Sequence, residues 1–214
     1  GESRAVLNKE RIRLAYLGLG AYHKGWEFWS KVTRRCTGGN YEFFHIGTGK
    51  ETLPDVSRIS VPLDTGRTNP FIQVIQEHQI DIAILWSLWP ETYSFTLFES
   101  LAGRCFIITN PQSGNIASVV RDRSAGAVFA AETEVLDFLK DSSRVHGILT
   151  EYKTRCPNIE LSWNPSIPEE TARFIQNPVR IECPGPPGLI HHPDRSDSLL
   201  YLESELQLGT LVFD

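Results

Sequence analysis

The sequence predicts an α/β protein built on a doubly wound parallel sheet. Three observations carry that prediction. Short apolar, strand-like runs alternate with helical segments from about residue 11 to residue 155. Each of the runs that matter below is closed by Gly, Pro or Asn, so the breaks gather at what would be one edge of a sheet. The run at 80–88 is apolar almost throughout, as expected of a strand covered on both faces. Such alternation builds right-handed crossovers and places ligands beyond the carboxyl ends of the strands.

In chain order, residues 1–10 are a polar leader and 11–17 form the first strand, ended by Gly18-Leu-Gly20. A helix is expected at 24–35, with Trp26, Trp29 and Val32 on one face. Gly38-Gly39-Asn40 precedes a second strand at 41–46, closed by Gly47-Thr-Gly49. A short third strand is expected at 59–63 and a helix at about 69–79, carrying Phe71, Ile72, Val74 and Ile75. The run 80–88 is the central strand. Pro90 stops it, since proline cannot donate to a ladder. Thr92 or Ser94 caps the next helix, which runs through Leu97, Phe98 and Leu101 to about Gly103. A strand at 105–109 and a helix from Asn115 to about 125 follow. The series ends with a strand at 127–129 and one long helix at 132–155, weakest near Gly147. Beyond Cys156, prolines punctuate short apolar pieces, with a helix only at 169–176 and strands at 199–202 and 210–213. Residues 157–214 thus read as an extension or the start of a further domain.

Composition narrows the function classes. With 214 residues, 41% of them hydrophobic, the chain can bury a sizeable core. A net charge of −5, from 21 basic and 26 acidic residues without a basic run, argues against nucleic acid. Four cysteines lie far apart with no C-x-x-C pair, the usage expected of reduced cytosolic thiols. No apolar run approaches the roughly 20 residues of a membrane span, and no signal-peptide pattern is visible. A cytoplasmic location, or a peripheral one at the inner membrane face, is expected. His191, His192 and Asp194 sit in a Pro-rich stretch without metal-ligand spacing and read as solvated loop.

The candidate site lies where the central strand turns into its helix. Glu91 stands at the strand's carboxyl end and Glu99 about one turn into the helix. Between them, the free N–H groups of Ser94, Phe95 and Thr96 open a positive helix end, which suits an anion. Two carboxylates flanking an anion site suit a ligand with hydroxyls on both sides of a phosphate group. Trp86 and Trp89 alternate out of phase with Leu85, so at least one should pack under a helix; sugar stacking is the other use for Trp89. His23 is placed either to meet a phosphate or sugar group or to cap its turn.

Pro90-Glu91-x-x-x-Phe95-x-x-x-Glu99, followed by Leu-Ala-Gly and the strand Cys-Phe-Ile-Ile-Thr, resembles the E-x7-E signature of retaining GT-B glycosyltransferases. His23-Lys24-Gly25 resembles the family's Lys-Gly phosphate-binding turn, and Ser113-Gly114-Asn115 its later glycine-containing loop. The resemblance covers roughly residues 11–140 and implies the Rossmann-like, C-terminal domain that binds a nucleoside-diphosphate sugar. It would give Glu91 the hydroxyls of the transferred sugar and Glu99 the ribose hydroxyls. Lys24 would neutralise the diphosphate, helped by the amides of Phe95 and Thr96. His23, Gly20, Gly25, Ser94 and Gly114 would complete the donor site.

Two positions depart from the pattern: no arginine stands among Gly20, Ala21 and Tyr22, and three residues rather than four separate Glu99 from Gly103. The family manages the diphosphate without a metal or other cofactor. The implied partner is an acceptor saccharide or lipid-linked glycan, held by a second domain of N-terminal type. Bacterial polysaccharide biosynthesis is the expected setting, and these residues alone are expected to transfer little sugar. A non-catalytic nucleotide-sugar-binding module is the main alternative. A dinucleotide oxidoreductase fits less well, because His23 stands where G-x-G-x-x-G needs its third glycine and 46–49 carries no acid. A glycoside hydrolase using Glu91 and Glu99 would leave the helix-end amides without a role.

Overall fold

A computed structural model describes residues 11–36, 38–61, 70–159 and 161. Six parallel strands form one sheet in the order β3-β2-β1-β4-β5-β6. They are β1 (Ile12–Leu17), β2 (Tyr41–Gly47), β3 (Val56–Ser60), β4 (Ile82–Ile84), β5 (Phe106–Thr109) and β6 (Gly126–Val128). The helices are α1 (Trp26–Arg35), α2 (Pro70–Glu77), α3 (Phe95–Ala102), α4 (Asn115–Asp122), α5 (Glu132–Lys140) and α6 (Ser142–Arg155). The order reverses between β1 and β4, which are paired from Leu14↔Ile82 to Tyr16↔Ile84. That is the crevice where doubly wound sheets bind ligands.

Strand parity decides which layer each residue joins. Leu14, Tyr16, Ile82, Ile84, Phe106 and Ile108 form one cluster with Phe28, Trp29 and Val32 of α1, Val135 and Leu139 of α5, and Val145, Leu149 and Tyr152 of α6. Ala15, Ala83 and Ile107 alternate with these residues and are equally buried, as a strand covered on both faces requires. At the amino end of β4, Asp81 is fully buried. It accepts the Arg13 N–H at 3.0 Å and forms an ion pair with Lys153 of α6.

Three expectations are corrected. The central strand ends at Ile84 and not at residue 88, because Gly18 turns β1 away and leaves β4 without its ladder on that side. Leu85 still donates to Ile108, while Trp86 packs on Phe28 with ring centroids 4.4 Å apart. The apolar run therefore records burial beyond the strand, not strand length.

The third strand begins at Val56, three residues earlier than expected, pairing Phe43↔Val56 through Gly47↔Ser60. The long helix is two, broken at Asp141. Its carboxylate accepts the Arg144 N–H at 3.0 Å and caps α6, whereas Gly147 lies inside that helix. The expectations for 1–10, 62–69, 169–176, 199–202, 210–213 and the His191/His192/Asp194 stretch lie outside the described residues.

Candidate functional site

Glycines bring the β1 and β4 loops into contact. Gly18 leaves β1 at φ +103°, and Gly47 packs so closely on the Gly18 carbonyl that a Cβ there would lie 2.1 Å from it. A 3-10 turn, Tyr22–Lys24, ends at Gly25, whose φ of +81° is left-handed. A Cβ on Gly25 would sit 2.2 Å from the Trp86 carbonyl. Only glycine lets the two loops close there. His23 then accepts the Leu88 N–H at 2.8 Å, and its imidazole stacks on Trp89 at 4.1 Å with 27° between planes.

That closure sets Lys24 Nζ 3.0 Å from Glu91 Oε1, with the lysine side chain 40% exposed and the carboxylate 12%. Ser87 Oγ lies 3.2 Å from the same oxygen and 2.9 Å from the Trp89 carbonyl, and its single proton serves one of them at a time. Asn110 fixes this loop from β5 by donating to the Ser87 carbonyl at 2.8 Å.

Gly114 holds Glu91 from the other side. The two form an isolated parallel bridge, with Asn115 N–H donating to the Glu91 carbonyl at 2.8 Å and Glu91 N–H to Ser113 at 3.3 Å. Gly114 has φ +62° and ψ −122°, and a Cβ there would come within 2.7 Å of the Glu91 carbonyl and 2.8 Å of its nitrogen. Replacing Gly114 with alanine should therefore cost about 1–3 kcal/mol of stability in urea unfolding. It should also loosen the Lys24–Glu91 pair.

The helix α3 opens onto the same crevice. Ser94 (φ −134°) caps it, accepting the Leu97 N–H at 3.4 Å, and meets Thr96 Oγ1 at 3.1 Å. Phe95 and Thr96 are therefore first-turn residues with free N–H groups. A Cβ on Gly18 would lie 3.7 Å from the Thr96 methyl, so this turn faces the β1 glycines. Glu99 follows about one turn later. Burial pushes its carboxyl up to about 7, leaving it poised between charge states at neutral pH. Among the described residues no group of three or more His, Cys, Asp or Glu is arranged to hold a metal.

The structure thus joins Lys24, Glu91 and Gly114 in direct contact, with Gly25, the residue after Lys24, packed on Trp86. It places His23 beside them on Trp89 and builds Ser94, Phe95 and Thr96 into the open end of α3. Gly20, on the loop after β1, lies beneath Glu51: a Cβ on it would lie 3.0 Å from that carboxylate.

Sequence reasoning missed two residues here. Ser87 was legible as one of the two polar residues, with Asp81, in the apolar run 80–88. Glu51 was hidden because it follows Gly47-Thr-Gly49 at a distance and folds back over Gly49 and Gly20. Its Oε2 is buried and has no hydrogen-bond partner. Glu51 thus supplies an acid two residues past the 46–49 stretch, which itself has none.

No protein-family model and no curated protein matches the sequence. Solved structures do match it. WaaG, a glycosyltransferase involved in lipopolysaccharide biosynthesis, aligns over 80% of this chain and 48% of its own, at 15% identity and a TM-score of 0.55. HepE from Anabaena, solved in complex with UDP-glucose, aligns over 80% and 50%, at 12% identity and a TM-score of 0.51. The chain spans about half the length of both proteins. At such identities the likeness is one of fold. The chain has the doubly wound, Rossmann-like α/β architecture that it shares with part of these glycosyltransferases.

Proposed function

We propose that this chain is the donor-binding part of a retaining glycosyltransferase, holding a nucleoside-diphosphate sugar in the β1/β4 crevice. One observation carries the reading: the Lys24–Glu91 pair sits at the topological switch point beside the open end of α3. The phosphates lie against the N–H groups of Phe95 and Thr96, within reach of Lys24. Glu91 accepts hydroxyls of the sugar, and Glu99 those of the ribose. As the bond from the sugar's anomeric carbon to the diphosphate breaks, the leaving oxygen takes the electron pair. Lys24 and the helix amides stabilise that charge where a metal would otherwise be needed. The glycosyl group passes with retention to the hydroxyl of a saccharide or lipid-linked glycan, whose proton goes to the leaving diphosphate oxygen.

The acceptor belongs to a second, N-terminal-type domain. The setting proposed is cytoplasmic polysaccharide biosynthesis in a bacterium, peripheral to the inner membrane where the acceptor is lipid-linked. No helix among the described residues is long and apolar enough to cross a membrane.

A second reading has one observation in its favour. Glu51 reaches the β1 glycines from the end of β2, the place from which an acid reads a ribose in dinucleotide sites. A thermal-melting panel of UDP, GDP, ADP, dTDP and NAD separates the two. At about 100 times Kd, the cognate nucleoside diphosphate should raise Tm by roughly 5–10 °C, from about 2.7 kcal/mol of binding. A shift with NAD alone, or with none of the five, would overturn the donor-site reading.

A further inference from the structure

Large apolar side chains that stay exposed are few among the described residues: Leu19, Tyr22, Leu88, Trp89 and Phe95. All five lie on the β1 and β4 loops or at the first residue of α3, around the crevice. Trp89 is the one tied to the charged pair by geometry. Its neighbour Trp86 is 4% exposed and packs on Phe28, and Trp29 is fully buried, yet Trp89 keeps 50% of its surface free. It contributes little to the core.

What it does have is a fixed orientation. His23 stacks on one face of the indole at 4.1 Å, and the backbone bond from Leu88 N–H to the His23 carbonyl locks the two loops at that point. The residue after His23 is Lys24, and two residues after Trp89 comes Glu91. The same two loops thus carry a π stack and, alongside it, an ion pair 3.0 Å long. An exposed aromatic face next to a carboxylate and an ammonium is the chemistry that recognises a hexopyranose. Ring C–H bonds lie on the indole, while hydroxyls reach the charges.

We propose that the His23–Trp89 stack is the platform for the transferred sugar and selects for a hexose with an unbroken apolar C–H face. The proposal rests on the nucleotide-sugar reading above and adds the sugar subsite to it. Imidazole behind the indole holds the platform flat. Trp89 contacts the sugar, and His23 is its positioning residue.

The test compares each nucleoside diphosphate with its hexose ester by calorimetry: UDP with UDP-glucose, GDP with GDP-mannose, ADP with ADP-glucose, dTDP with dTDP-glucose. Trp89→Ala should weaken the cognate ester roughly three- to ten-fold, leave the bare diphosphate within about two-fold, and be partly rescued by Trp89→Phe. His23→Ala should show a smaller loss with the same selectivity. Equal effects on ester and diphosphate, or no effect on the ester, would overturn the platform while leaving the nucleotide site standing. If no diphosphate binds the unaltered chain, the nucleotide-sugar reading fails first and the platform falls with it.

Discussion

Replacing Asp81 with alanine should lower the free energy of unfolding by about 3–5 kcal/mol, the range seen when one partner of a buried ion pair is removed. Asp81 is fully buried, and its two oxygens serve different partners: one accepts the Arg13 N–H at 3.0 Å, the other pairs with Lys153. Truncation leaves a buried backbone donor without an acceptor and a lysine, only 26% exposed, without its counter-charge. It also removes one of the ties between α6 and the sheet, since Lys153 reaches Asp81 from the last turn of that helix. Asp81→Asn keeps an acceptor for Arg13 and should cost less. Urea unfolding of both variants checks the order. An alanine variant within about 0.5 kcal/mol of the original, the range of an ordinary surface change, would contradict this account of the junction.

Glu99 should behave in the opposite way, and with the larger consequence for function. Burial raises its carboxyl from 4.5 to about 7, so the folded chain keeps a proton that the unfolded chain has already lost between those values. The sign follows: the contribution to stability is present in full below about pH 4.5 and is lost as pH rises through about 7. Glu99→Gln should therefore stabilise the chain at pH 8, by up to about 3 kcal/mol, and change little at pH 4. Binding runs the other way. In the donor site proposed above, two ribose hydroxyls donating to the ionised Glu99 carboxylate would favour its charged form, so the ligand would release the proton. Affinity for the nucleoside diphosphate should rise between about pH 6 and 8 and then level off. Glu99→Ala should weaken it roughly a hundred-fold, the worth of two hydrogen bonds to a charged group.

Much of the fold could be read in the residues because glycine punctuation and strand parity agree. Gly18, Gly25, Gly47 and Gly114 mark the edge at which loops meet, and each sits where a Cβ would strike a neighbouring backbone or where φ is left-handed. Alternation in β1 and β4 assigns Leu14, Tyr16, Ile82 and Ile84 to one layer. What escaped was set by tertiary contact. The end of β4 depends on where β1 turns away, which no residue within 80–88 records. The break at Asp141 depends on one carboxylate capping a helix that composition alone would continue. Ser87 turns back on its own loop to Glu91, four residues on, and Glu51 folds over Gly20 from the loop after β2, so neither contact follows a strand or helix period. The apposition of Lys24 and Glu91, 67 residues apart, could be expected only from the edge that both loops share.

The most direct measurement is calorimetric titration of the chain and of Glu99→Gln with the nucleoside diphosphate that raises Tm, at pH 6 and pH 8. The account predicts tighter binding at pH 8 for the unaltered chain, with proton release at pH 6. It predicts weaker binding for the variant, with only the pH dependence that the nucleotide's own terminal phosphate carries. Equal affinity in the two proteins at both pH values would contradict it, because the nucleotide would then lie elsewhere than the crevice between β1 and β4.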